Sequence, residues 1–214
     1  MKPYYQDSAV TIYHGDCRDI LPSLPKVDLV VTDPPWPNLR NGMNTENPFT
    51  LFRDFSRLCF PLVATRAVII LGCDSDPRIL LPIDLPYFNT CWIKRVPPFF
   101  KGPRFIGADI GYVFGNFTVP TGRGTRAYNQ TFNMVSQGTR DNGNNHPAPR
   151  NLKTMVDIMS VYSQPSWIIL DPFMGSGTTL RAAKDLGRKC IGIEIEEKYC
   201  EIGAKRMSQT VMSL

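Results

Sequence analysis

No stretch of the 214-residue chain approaches the roughly 18 unbroken apolar residues that a membrane-spanning helix needs. The opening residues, MKPYYQDSAV, lack the apolar core of a secretion signal. These two absences predict a cytoplasmic protein. Histidine is scarce, with only His14 and His146, and the six cysteines (Cys17, Cys59, Cys73, Cys91, Cys190 and Cys200) include no C-x-x-C pair. Neither a zinc site nor a disulfide framework is supported, so reduced thiols and no bound metal are expected. Acid is in short supply too: 19 Asp and Glu against 24 Lys and Arg leave a net charge of +5, which suits a polyanionic partner.

With 43% hydrophobic and 11% aromatic residues, a chain of this length makes one globular domain with a proper core. Strand-like apolar runs (AVTIY 9–13, VDLVV 27–31, RAVIIL 66–71, FNTCWI 88–93, GYVFG 111–115, SWIIL 166–170 and KCIGIEI 189–195) alternate with segments of helical periodicity at 47–62, 151–163, 176–187 and 196–209. Several of those runs are apolar throughout, as in strands covered on both faces. The expected fold is α/β, a doubly wound and mostly parallel sheet. Trp92 and Trp167, both inside strand-like runs, are expected to pack within it.

Residues 97–145 break this rhythm. The segment is rich in glycine, asparagine and threonine, and sets Lys101, Arg104, Arg123, Arg126 and Arg140 against only Asp109 and Asp141. Loops of that length are uncommon unless they are functional or disordered. Arginines interleaved with Phe, Tyr and amides suit phosphate contact and base stacking, so a short, loop-rich insertion that binds nucleic acid is expected. Arg40, in the loop PNLRNGMNTENP, is a further candidate for closing over a target.

Two stretches carry chemistry. In VDLVVTDPPWPN an apolar run ends at Asp33, Pro34 and Pro35 fix the turn, and Trp36 follows. In WIILDPFMGSGTTLRAAKDLGRKCIGIEIEEKY a run ends at Asp171, a turn of Gly175, Ser176 and Gly177 leads into a helix near Thr178, and the next run ends in Glu194. Such glycines let the backbone approach a ligand closely, and an acid at the next strand tip can take both hydroxyls of a ribose. An acid ahead of the glycines would repel a pyrophosphate and welcome a cation. S-adenosylmethionine, with its ammonium, sulfonium and ribose diol, fits that charge pattern better than NAD.

DPPW at 33–36, DPFMGSGTT at 171–179 and IGIEIEEKYCEIGAKRM at 191–207 resemble the catalytic, methionine-binding and ribose-binding motifs of S-adenosylmethionine-dependent DNA amino-methyltransferases. Their order, with the catalytic motif first, resembles the permuted β-class. The resemblance implies a Rossmann-like methyltransferase fold over residues 1–214, with 97–145 as a target-recognition insertion. It also implies a cofactor site built from Asp16 and Cys17 in IYHGDCRDIL, from Asp171, Phe173, Gly175, Ser176, Gly177, Thr178 and Glu194, and from His146 and Arg150 in NHPAPRNLKTM. In that last segment Arg150-Asn151 stands where the family commonly has Lys-Pro. DNA is the implied partner, and the cytoplasm of a bacterial or phage-infected cell the implied setting. So short a recognition segment leaves open a relaxed target site or a homodimer that supplies further contacts.

The implied chemistry makes sense by itself. An aromatic exocyclic amine is a poor nucleophile until its nitrogen is rehybridised, and the Asp33 carboxylate with the Pro34 carbonyl could accept its two hydrogens. Pro35 would hold the turn and Trp36 would stack on a base lifted from the duplex. No Pro-Cys pair exists for carbon-5 chemistry on cytosine. In this family Asp at the first motif position leans to adenine N6 and Ser to cytosine N4. Cytosine N4, RNA adenine and a catalytically silent binding module are the alternatives.

Overall fold

The computed structural model describes residues 2–36, 47–117, 131–135 and 150–209. Its centre is a nine-stranded sheet of β1 (Tyr5–Gln6), β2 (Val10–His14), β3 (Val27–Thr32), β4 (Val63–Gly72), β5 (Tyr87–Lys101), β6 (Arg104–Gly115), β7 (Thr131–Val135), β8 (Ile168–Asp171) and β9 (Lys189–Glu194), in the order β1-β2-β9-β8-β3-β4-β6-β5-β7. Neighbours from β2 to β4 run parallel. On the far side, β6 lies antiparallel to both β4 and β5. This is the expected α/β fold with a large, mostly parallel sheet.

Five helices complete the described chain: α1 (Cys17–Ile20), α2 (Pro48–Cys59), α3 (Leu152–Tyr162), α4 (Thr178–Asp185) and α5 (Glu197–Ser208). The period of two along each strand divides its side chains between two cores. Leu29, Val31, Val68 and Ile70 join the core that includes Met155, Ile158, Leu180 and Met207 of α3, α4 and α5. Val30, Ala67, Ile69 and Leu71 join Phe52 and Phe55 of α2 in the other. Helices therefore cover both faces, which is why those strands read as continuous apolar runs.

The stretch expected to be loop is partly regular. β5 and β6 form a long hairpin that continues past Pro97 and Pro98, with a register shift between Lys94 and Phe99 where the prolines offer no ladder donor. Pairing resumes from Phe99↔Ile106 to Lys101↔Arg104, and the rings of Phe100 and Phe105 meet at 5.4 Å. Cross-strand aromatic contact of this kind holds a ribbon that has no core beneath it. Trp92, expected inside, is 49% exposed on β5. Its neighbours Cys91 and Ile93 alternate inward instead, as the strand period requires. Trp167 does pack against the first core, with the Arg66 guanidinium 5.1 Å from its ring. Among the described residues, no helix is long and apolar enough to cross a membrane.

Gly192 on β9 locks the glycine turn to the sheet. A Cβ there would lie 2.5 Å from Met174 Sδ and 2.6 Å from Leu180 Cδ2, so both side chains would have to shift. Gly192→Ala should therefore cost about 1–3 kcal/mol, the usual penalty for overpacking, read as a lower urea midpoint with unchanged slope.

A candidate active site and cofactor crevice

Between β8 and β3 the chain order reverses direction across the sheet. β3 leads on to β4 on one side and β8 to β9 on the other, and α/β sheets bind ligands at the strand ends beside such a point. Four adjacent parallel strands, β2, β9, β8 and β3, lead there to carboxylates: Glu194 and Asp171 end β9 and β8, Asp33 follows β3, and Asp16 lies two residues beyond β2. At roughly 4.8 Å per strand the row spans on the order of 15 Å. Four like charges so close need separate solutions, and each has one.

Asp16 caps α1 by accepting the Arg18 amide at 2.8 Å and pairs with the Arg18 guanidinium at 2.6 Å. Hydrogen bonding from Arg18 holds its carboxyl below the usual range. Cys17 beside it is buried. Glu194 uses both oxygens, one accepting the Gly175 amide and the other the Glu196 amide, each at 2.9 Å. Burial raises its pKa, and the amides offset part of that rise.

Asp171 is buried at 3% exposure, and burial pushes its carboxyl up to about 7 despite the hydroxyls and amide that favour its charge. Its Oδ1 accepts the Thr32 hydroxyl at 2.8 Å and the Phe173 amide at 3.2 Å. The Thr32 bond ties the end of β3 to the end of β8.

The turn after Asp171 has the form the glycines permit. Gly175 and Gly177 take φ of 52° and 79°, a region costly for residues with a Cβ. Gly177 caps α4 without a side chain, Ser176 and Thr178 are buried, and Thr178 Oγ1 meets Arg206 of α5 at 2.8 Å. The Phe173 ring, just ahead of the turn, lies 5.1 Å from that of Phe55.

Asp33 follows β3 directly. Its Oδ1 accepts the Trp36 indole N–H at 2.7 Å, and its Oδ2 accepts Arg150 Nε at 2.6 Å. Pro34 is buried, while Pro35 and Trp36 are half-buried. The Trp36 ring lies on Gly72 at the end of β4, where a Cβ would come within 2.7 Å of Cζ3. Arg150, one residue before the Asn151 cap of α3, sits 5.2 Å over the same ring and also donates through Nη1 to Asp109. Asp109 on β6 is wholly buried and takes Arg95 Nη2 at 2.7 Å. Burial works against the Arg150 charge, and the two carboxylates more than restore it, raising its pKa.

The structure thus brings Asp16, Asp33, Asp171, Glu194 and the glycine turn together at the strand ends. Arg150, expected beside the cofactor, engages Asp33 and Asp109 here. Asp109, Arg95 and Thr32 were not read from the sequence as site residues. The available signal was an acid two residues ahead of the strand-like run GYVFG, since a buried carboxylate requires a cation. Lys101 and Arg104 close the β5–β6 hairpin, whereas Arg40, Arg123, Arg126, Arg140 and His146 lie outside the described residues. His14 contacts the Ile195 carbonyl at 3.1 Å. Among the described residues no cluster of His, Cys, Asp or Glu is placed to hold a metal.

The profile of the N6_N4_Mtase family of DNA methylases matches residues 84–205, more than half of the chain. The chain belongs to that family. It is an S-adenosylmethionine-dependent DNA amino-methyltransferase, and the matched segment holds the glycine turn and Glu194 but not Asp33. This DNA methylase is 27% identical to the type II methyltransferase M.ScaI of Streptomyces caespitosus, over its whole length and 86% of that protein. Two solved structures share its fold: M1.HpyAVI in complex with S-adenosylmethionine (TM-score 0.70, 23% identity, 94% of this chain and 100% of that one) and the cytosine-N4-specific PvuII DNA methyltransferase (TM-score 0.77, 18% identity, 99% and 91%).

Charge and shape fit the cofactor. A row of carboxylates with amide-lined glycines suits a ligand with an ammonium, a sulfonium and a diol. The buried Asp171 gives this DNA methylase a pH signature. Its folded pKa of about 7 stands above the ordinary 3.8, so the native state holds a proton that the unfolded chain releases, and stability declines as pH rises between those values. Asp171→Asn keeps the Oδ1 acceptor and removes the charge. Its stability advantage over the parent should grow through that window and level off above it, measured as urea midpoints across pH.

Proposed function

We propose that the chain methylates the N6 amino group of adenine in DNA at a specific site, on a base rotated out of the duplex. The Asp33 carboxylate, fixed beside the acidic crevice where β3 meets β8, carries this reading. S-adenosylmethionine supplies a methyl group made electrophilic by its sulfonium, which the target nitrogen takes as the thioether departs. Asp33 and the Pro34 carbonyl accept the two amino hydrogens, which localises the lone pair and stabilises the charge that develops on nitrogen. The product ammonium loses its spare proton to water. Glu194 holds the ribose diol, Asp16 and Cys17 border the adenine of the cofactor, and Asp171 with the Gly175–Ser176–Gly177 turn, Thr178 and Phe173 line its methionine end. Trp36 forms the wall against which the extruded base stacks.

Asp in the first motif position favours adenine over cytosine N4. The family covers both targets, and the fold shared with the cytosine-N4 PvuII enzyme makes cytosine the second reading. The likeness to M.ScaI supports a restriction–modification role in a bacterial cytoplasm. For DNA contact, the hairpin stretch KRVPPFFKGPR carries Lys94, Lys101 and Arg104 besides Arg95, which Asp109 holds, and exposes Phe99, Phe100 and Phe105. With Arg40, Arg123, Arg126 and Arg140 it grips phosphates while its aromatic rings lie on sugars and bases.

Labelled S-adenosylmethionine and methylation-free DNA, followed by sequencing of the modified positions, test the assignment directly. Methyl on cytosine, or on RNA in preference to DNA, would overturn it. Asp33→Ala should lower transfer by at least about 100-fold while cofactor affinity survives, and wild-type turnover in that variant would refute the mechanism. Arg104→Ala should weaken DNA binding evenly across sequences and reduce the salt slope by about one.

A further inference from the structure

The crevice mechanism leaves a chain of four charged groups unexplained. Asp33, Arg150, Asp109 and Arg95 lie in sequence, two carboxylates alternating with two guanidinium groups, and they join the end of β3, the start of α3 and the paired strands β5 and β6. Asp109 is wholly buried, so it cannot be a surface decoration. A buried carboxylate placed there costs stability unless it holds something, and what it holds is Arg150 and Arg95.

We infer that Arg150 is a positioning residue for Asp33, anchored by Asp109, and not a ligand of the cofactor carboxylate. This rests on the proposed role of Asp33 as acceptor of the amino hydrogens. With Trp36 Nε1 on one oxygen and Arg150 Nε on the other, the Asp33 carboxylate cannot rotate. Each oxygen still has a lone pair to offer, so the target amine meets an acceptor that is already oriented. The planar fork of arginine is what allows Nε to hold Asp33 while Nη1 holds Asp109, a span that a lysine ammonium cannot reproduce. A lone cation next to an amine gaining positive charge would oppose the reaction. Asp109 cancels that charge, so the arginine contributes orientation without electrostatic opposition.

Three variants of the full chain test this, with S-adenosylmethionine affinity by calorimetry, single-turnover methylation of unmethylated DNA, and thermal unfolding measured together. Arg150→Met should slow transfer by about 100-fold while the cofactor dissociation constant moves less than about twofold. Arg150→Lys should recover part of that loss, and Asp109→Asn should slow transfer with cofactor affinity again unchanged. If Arg150→Met fails to fold, Arg150→Lys carries the test, with a rate about 10-fold below the parent at parental cofactor affinity. A cofactor dissociation constant raised tenfold or more, with the rate restored by excess cofactor, would make Arg150 a cofactor ligand and overturn the inference. So would a parental rate in folded Arg150→Met. An active Asp33→Ala protein would instead sink the reading of Asp33 on which the inference stands.

Discussion

Strands β3 and β8 lie side by side, and at their ends the Thr32 hydroxyl donates to the buried Asp171 carboxylate at 2.8 Å. Through this contact two segments separated by most of the chain become one site. Asp33 is the next residue after Thr32, and the glycine turn starts just beyond Asp171, so a shift at the seam moves Asp33 and that turn relative to each other. Methyl transfer tolerates little of that, because the attacking nitrogen, the methyl carbon and the departing sulfur must lie in line. The low dielectric around Asp171 strengthens the bond and also makes its own ionisation costly.

The row of carboxylates at the strand ends shows how a protein keeps like charges together without coming apart. One is neutralised by an arginine two residues away, one is bound by backbone amides, one is protonated over much of the acidic range, and one is shared between an indole and an arginine. The glycine turn belongs to the same scheme: with positive φ at Gly175 and Gly177, the Gly175 amide donates to Glu194 and the Gly177 amide to the Met174 carbonyl.

Much of this was legible in the sequence, for identifiable reasons. Strands with both faces buried are largely apolar, so β3, β4 and β9 announced themselves, and the acids just past β3 and at the end of β9 marked where those strands stop. What could not be read depends on pairing between distant segments. Asp109 looked like a stray acid among basic loops because nothing local shows that β6 lies against β4 and β5. Arg150 stands in a segment that resembles a cofactor motif, and nothing local shows that Asp33 and Asp109, from distant parts of the chain, are its partners. The hairpin beyond Pro97 was hidden by prolines and glycines that signal loops, and β7, a five-residue strand, is held by β5 more than by its own composition.

Gly72 has a consequence outside catalysis. It is the residue on which the Trp36 ring rests, and the next residue, Cys73, is the one exposed thiol of six. The other five are buried, and desolvation drives their thiols away from the reactive thiolate form. A maleimide dye would therefore label the unmodified chain at a single point, one residue from the indole. Its fluorescence would report on the surroundings of the Trp36 ring in real time, with no engineered cysteine.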